Sequence, residues 1–271
     1  MKEHLRSLLE KYPDPLKKRN IIREYVQAQI LSILQNEGAM MPLAFHGGTA
    51  LRFLFQLPRY SEDLDFTLEK PDHPYAFSRL MKAVQAGLDK QGYRTKIKLN
   101  DRKTVHSAFV RFEELLFEFN LTGQRDALFS VKIEVDTRPP SGTRLQTRIV
   151  RRYIPLHLQH HDPSSLFAGK IHAILQRTYV KGRDFYDLVW YLSDPEWPEP
   201  NFTMLNNALK QSGWKGDNLH SGNWRRVLLE RVNNLDIDES GKDVTPFLEN
   251  IREVRWLTRE NFVGLIKNRE G

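Results

Sequence analysis

Hydrophobic and polar positions change period several times along the chain, and each change marks an element. Over residues 16–37, apolar side chains recur at 21, 22, 25, 26, 30, 33 and 34, a helical spacing. Asp14-Pro15 supplies its cap and first-turn proline, and Gly38 its stop. A short apolar run at 43–45 predicts a buried strand, two glycines follow, and 49–55 predicts a helix that Leu57-Pro58 breaks. From 61 to 68 the pattern alternates, with Leu64, Phe66 and Leu68 set against Asp63, Asp65 and Thr67. An amphipathic helix is predicted over 74–90, then strands over 93–99, 105–112, 115–121 and 129–136. After a basic stretch at 144–153 the pattern turns helical. Ser164-Ser165 cap a helix to about 180, Gly182 ends it, and Asp184 starts the next. Further helices are predicted near 203–210, over 224–232 and from 246 to 267, with Phe247, Leu248, Ile251, Val254 and Leu257 inward. Strands grouped in the middle and helices at the end predict an α+β fold: a mixed-sheet lobe over 1–155 and a helical lobe over 156–271.

The alternation at 61–68 has a chemical consequence. Side chains two apart on a strand share a face, so Asp63 and Asp65 stand together. Two carboxylates on one face repel unless a cation sits between them, and a hard divalent ion such as Mg²⁺ takes oxygen ligands of this kind. Gly47 and Gly48 supply a turn without Cβ atoms, which lets backbone N–H groups approach an anion closely. The helix beginning near Thr49 aims its positive end at the same place. Phosphate cradle and carboxylate pair are the parts of a metal-assisted phosphoryl or nucleotidyl transfer site. On the strand at 129–136, Glu134 and Asp136 share the face opposite Ile133 and Val135.

Composition narrows the setting. The 271 residues are 40% hydrophobic and 28% charged, a globular balance. With no cysteine, disulfides and thiolate metal sites are excluded. The charged start is unlike a signal peptide, and no apolar run approaches the roughly 20 residues of a membrane span, so a cytoplasmic protein with no membrane partner is expected. A net charge of +7 points to a polyanionic partner such as RNA, or to an acidic protein. Arg144, Arg148, Arg151 and Arg152, and again Arg225, Arg226, Arg231, Arg252, Arg255 and Arg259, are candidates for phosphate contacts.

The block at 47–66, GGTALRFLFQLPRYSEDLDF, resembles the first motif of the AbiEii-type nucleotidyltransferases, toxins of abortive-infection and toxin–antitoxin systems. They belong to the DNA polymerase β-like superfamily. Three further places are similar to that family: Lys132-Ile133-Glu134, Leu166-Phe167-Ala168-Gly169-Lys170, and Lys181-Gly182-Arg183-Asp184 with Asp187 beyond. The resemblance implies an enzyme that moves a nucleoside monophosphate from an NTP to an acceptor, with a tRNA 3′ end as the acceptor and an antitoxin as partner. It implies metal ligation by Asp63, Asp65 and a third carboxylate, Glu134 or Asp136, with Glu134 the better match. It also implies nucleotide contacts from Gly47, Gly48, Thr49, Lys170, Arg183 and Asp184, and a structural role for Asp187. Two other functions share these features. A small-molecule nucleotidyltransferase of the antibiotic-modifying kind would use the same carboxylates. A non-catalytic NTP- or RNA-binding module would keep the fold but would not need Asp63, Asp65, Glu134, Lys170 and Asp184 together.

Overall fold

A computed structural model describes residues 2–179, 181–234 and 236–267. They divide into two compact units. The first comprises Met1–Gln56, Tyr60–Pro139 and Thr147–His160; the second takes Leu57–Arg59, Pro140–Gln146 and His161–Gly271.

In chain order the elements up to residue 161 are α1 (Lys2–Glu10), α2 (Pro15–Asn36), β1 (Leu43–His46), α3 (Gly47–Phe55), β2 (Asp63–Leu68), α4 (Phe77–Lys90), β3 (Thr95–Asn100), β4 (Val105–Phe112), α5 (Leu115–Glu118), β5 (Phe129–Asp136), β6 (Leu145–Arg152) and β7 (Ile154–His161). Among the described residues the strands form one seven-stranded sheet in the order β3-β4-β5-β2-β1-β7-β6. It is mixed: β1 runs antiparallel to β2 but parallel to β7, β2 runs parallel to β5, and β3, β4 and β5 form an antiparallel meander. Leu64, Phe66, Ala108, Val110, Val131, Ile133 and Val135 are buried, as are Phe77, Leu80, Met81, Val84 and Leu88 of α4. Burying one such large apolar side chain contributes roughly 1.5–3 kcal/mol, so a one-residue slip of β2, which would bury its aspartates instead, is strongly disfavoured. Register, and with it the carboxylate face, is set by the core.

Helix α2 is buried nearly all round, polar residues included. Glu24 accepts from Arg52, from Arg152 Nε and Nη2 at 3.1 and 2.9 Å, and from Tyr153 Oη at 2.7 Å. Burial pushes its pKa up, but Arg52 and Arg152 outweigh burial, and the net shift is downward from 4.5. A lowered folded-state pKa means that the carboxylate contributes its full stability above the ordinary value of 4.5 and loses it as pH falls through the shifted one. Urea titrations between pH 3 and 7 should show wild-type stability declining on the acid side. Glu24→Gln should be less stable at neutrality and less acid-sensitive; an unchanged acid slope would contradict the assignment.

The second unit contains α6 (Pro163–Gln176), α7 (Gly182–Ser193), α8 (Phe202–Gln211), α9 (Trp224–Asn233), α10 (Ile237–Val244), two 3₁₀ turns at Thr245–Phe247 and Ile251–Trp256, and α11 (Arg259–Lys267). Its core gathers Phe167, Tyr191 and Trp224, with Phe185 on Phe262.

Several expectations are corrected. The strand predicted at 115–121 is the short helix α5, flanked by Glu114 at φ 58° and Asn120 at φ 55°, left-handed residues that interrupt an extended chain. The basic stretch at 144–153, for which no element was predicted, contains strand β6 (Leu145–Arg152), at the edge of the sheet beside β7. Strand β7 and helix α1 were missed, although Leu156 and Leu158 are spaced for a strand and Leu5 and Leu9 for a helix. Helix α6 ends at Gln176, Val180 lies outside the described residues, and the cap is Asp162, which accepts from Ser165 N at 2.8 Å. Gly182 starts α7 rather than ending α6: a Cβ there would overlap the Ser240 carbonyl, and its N–H donates to Asp243 Oδ2 at 2.7 Å. The helix predicted over 246–267 breaks into 3₁₀ turns before α11, and Ile251 is 61% exposed rather than inward.

Candidate active site

Strand β1 passes into α3 without a loop. His46 is extended, and Gly47, with φ 76°, opens the helix two residues before the predicted start. His46 lies opposite Asp65 in the β1–β2 ladder, and a Cβ on Gly47 would overlap the Asp65 carboxylate. Only glycine allows that backbone angle and that approach together. The first-turn N–H groups of α3 lack intrahelical partners, so the positive end of the helix abuts Asp65; Gly48, its second residue, is half-exposed. The entry to β2 is held by two side chains from elsewhere. Buried Thr49 donates its hydroxyl to the Asp63 carbonyl. Gln27 Nε2, from α2, donates to the carbonyls of Ser61 at 3.1 Å and Glu62 at 2.9 Å. Thr49 thus spends its hydroxyl on aiming the strand.

Asp63 and Asp65 are half-buried, with Leu64 and Phe66 turned into the core. In the parallel β2–β5 ladder Asp63 lies opposite Lys132, Asp65 opposite Glu134, and Thr67 opposite Asp136. Glu134 is therefore the acid beside Asp65, and it pairs with Lys132 Nζ at 2.8 Å. Asp136 stands one row further on and accepts from Arg138 N at 2.9 Å, capping the turn after β5. Among the described residues no three His, Asp or Glu side chains form a preassembled metal cluster. The donors do suit a hard divalent cation, being carboxylate oxygens on one face beside the close approach at Gly47.

In the second unit the charged residues near the family-like motifs form a buried network. Lys170 Nζ, on α6, lies 2.7 Å from Asp184 Oδ1 and 2.7 Å from Asp187 Oδ2, both on α7. Arg59 Nε and Nη2 each reach an Asp187 oxygen at 2.6 Å, a bidentate fork, and Arg177 pairs with Asp184. The Lys170 side chain is 11% exposed and that of Asp187 0%. Burial works against the Lys170 charge, but Asp184 and Asp187 overcome it and raise its pKa. Burial likewise raises the Asp184 pKa, and Lys170 and Arg177 outweigh it, leaving a net lowering. Arg183 is half-exposed, its guanidinium 4.4 Å from the centroid of the Phe247 ring. Sequence reasoning missed Arg59; a lone charge between Pro58 and Tyr60, just before the carboxylate strand, was the available signal.

Most of the arginines proposed for phosphate contacts are used by the protein itself. Arg148 donates to the Leu54 carbonyl at 2.8 Å, Arg144 pairs with Asp162 at 3.1 Å, and Arg152 holds Glu24. Arg225 pairs with Glu199 and Arg226 with Glu230, while Arg231 donates to carbonyls of Ile174 and Arg177 at the end of α6.

An Asp-x-Asp pair on a mixed sheet, abutted by a glycine-led helix, brings oxygen donors for a hard cation beside a helix N-terminus that favours anions. Residues 29–259 match the family model described as nucleotidyl transferase AbiEii toxin, type IV toxin–antitoxin system. The chain belongs to this AbiEii nucleotidyltransferase toxin family. Two crystal structures from Helicobacter pylori share the fold. One, described as a candidate nucleotidyltransferase, is 20% identical with a TM-score of 0.55, covering 92% of this chain and 96% of that one. The other, JHP933, is 18% identical with a TM-score of 0.53, covering 93% of each chain. Comparison with curated proteins gives no match.

Proposed function

We propose that this toxin transfers a nucleoside monophosphate from an NTP to the 3′ end of a tRNA, in a reaction that depends on Mg²⁺ and is restrained by a cognate antitoxin. The observation that carries the chemistry is the row His46–Asp65–Glu134, which sets two carboxylates of different elements beside the N-terminus of α3. Asp63 and Asp65 would hold Mg²⁺, with Glu134 as the third acid; the ion would neutralise charge on the triphosphate and polarise the α-phosphorus. The N–H groups of Gly47 and Gly48 favour phosphate oxygens. Glu134 is proposed to accept the proton of the attacking hydroxyl. The acceptor oxygen forms a bond to the α-phosphorus, the bond from that phosphorus to the bridging oxygen breaks, and pyrophosphate carries away the electron pair.

Incubating the purified protein with each α-labelled NTP and total cellular RNA tests this directly. Wild type should label RNA of tRNA size. Glu134→Gln should slow labelling by roughly 10²–10⁴-fold, the scale of a lost general base, while NTP binding is retained. Asp136→Asn should remain active. Inactivity of Asp136→Asn with an active Glu134→Gln would move the third carboxylate by two residues, and label confined to small metabolites would make RNA the wrong acceptor. In cells, wild type should arrest growth and Asp65→Ala should not.

A further inference from the structure

The sheet face that bears Asp63, Asp65 and Glu134 continues across β4 and β3. Read through the ladders, one row runs Asp65–Glu134–Ser107–Asn100 and the next runs Asp63–Lys132–Phe109–Lys98. Alternate residues on β4, Ala108, Val110 and Phe112, are buried beneath. Phe109 instead points outward and is 39% exposed. Lys132 Nζ lies 5.8 Å from its ring centroid, and Lys98 occupies the opposite side of its row. Arg111 and Lys96 form the neighbouring pair on the same face. Lys132 is paired with Glu134 and Lys96 with Glu113, but among the described residues neither Lys98 nor Arg111 has an ion-pair partner.

An exposed phenylalanine alone is ordinary. A ring set in the middle of an open strand face, with cations on both sides and carboxylates one and two strands away, has the two components that bind single-stranded nucleic acid. The ring offers a stacking surface for a base, and the ammonium and guanidinium groups offer phosphate contacts. Two interstrand spacings place Phe109 about 10 Å across the sheet from β2, close enough to hold a base beside a terminal nucleotide. A duplex covers both faces of every interior base pair, so those bases cannot stack on the ring.

We propose that the open face of β3, β4 and β5 is the acceptor platform: Phe109 stacks a base of a single-stranded nucleic-acid end while Lys98 and Arg111 contact its phosphates. This rests on the nucleotidyl-transfer reading and names the structural class of its acceptor. Binding is read without turnover, by anisotropy of a labelled single-stranded RNA oligonucleotide with the full-length protein. Phe109→Ala and Phe109→Leu should each weaken binding by roughly 5- to 100-fold, and Phe109→Trp should restore it, because stacking needs a π-face rather than apolar volume. Lys98→Glu and Arg111→Glu should each reduce the salt dependence of binding, by roughly 0.7 in the log–log slope per lost phosphate contact. Melting temperature and NTP binding should stay at wild-type values. Three results would overturn the proposal: unchanged oligonucleotide binding by both Phe109→Ala and Phe109→Leu, equal affinity of wild type for the matching duplex, or a Phe109→Ala defect in NTP binding. The last would make the ring a nucleotide-base site. A wild type that transfers from no NTP would sink the nucleotidyl-transfer reading instead, and oligonucleotide binding would still decide the platform.

Discussion

Asp65→Ala and Asp63→Ala should each reduce nucleotidyl transfer by roughly 10³-fold or more, because each would remove a proposed metal ligand, and metal-mediated charge stabilisation is worth several kcal/mol, at tenfold per 1.4 kcal/mol. Both carboxylates are half-buried on the open side of β2, and the core contacts of that strand come from Leu64 and Phe66, so the fold should survive. Melting temperatures near wild type beside lost labelling would separate chemistry from stability. NTP affinity measured with Mg²⁺ present should fall as well. Gly47→Ala should resemble these variants, since the added methyl would both strain a φ of 76° and press on the Asp65 carboxylate. Turnover near the wild-type rate in Asp63→Ala or Asp65→Ala would end the assignment of this strand as the catalytic centre.

Asp187→Ala should produce the largest loss of stability. It removes the carboxylate that receives both the Arg59 fork and Lys170, leaving those cations in a site where the Asp187 side chain itself has no solvent exposure. Breaking a buried pair from one side costs roughly 3–5 kcal/mol. For a chain of this size that corresponds to a drop of about 6–20 °C in melting temperature. Differential scanning calorimetry checks it; a shift below about 2 °C would mean that the network relaxes without cost. Lys170→Met is the informative contrast. It leaves Asp187 with Arg59 and Asp184 with Arg177, each a balanced pair, so its stability loss should be smaller. The family resemblance assigns Lys170 to the triphosphate, and this variant tests that role without collapse of the unit. Weaker NTP binding at near-normal stability supports the assignment, whereas full activity would leave Lys170 as the ionic filling of the network.

What the sequence determined by itself was what depends on neighbours within a few positions. The two-residue period of strands placed Asp63 and Asp65 on one face, and it put β4 at Val105–Phe112 and β5 at Phe129–Asp136. Gly47 announced a close backbone approach because no other residue combines its angle with its small volume. The mixed α+β architecture followed from the order of the periods.

Tertiary structure decided what depends on residues far apart in the chain. Glu134 and Asp136 have the same local pattern, and only the pairing of β2 with β5 puts the former beside Asp65 and the latter beside Thr67. Arg59 and Asp187 are 128 positions apart, and nothing near either residue tells of the other. The arginines of β6 and α9 look alike in sequence to cations waiting for phosphates, yet Arg148, Arg152 and Arg231 have their donors on protein acceptors, because folding brings carbonyls and Glu24 within reach. Phe109, one apolar residue among several on β4, becomes a candidate binding residue only once the sheet shows which of its faces is open. Periodicity reports how a segment repeats, whereas register and burial report what it meets, and the chemistry of this face depends on the second.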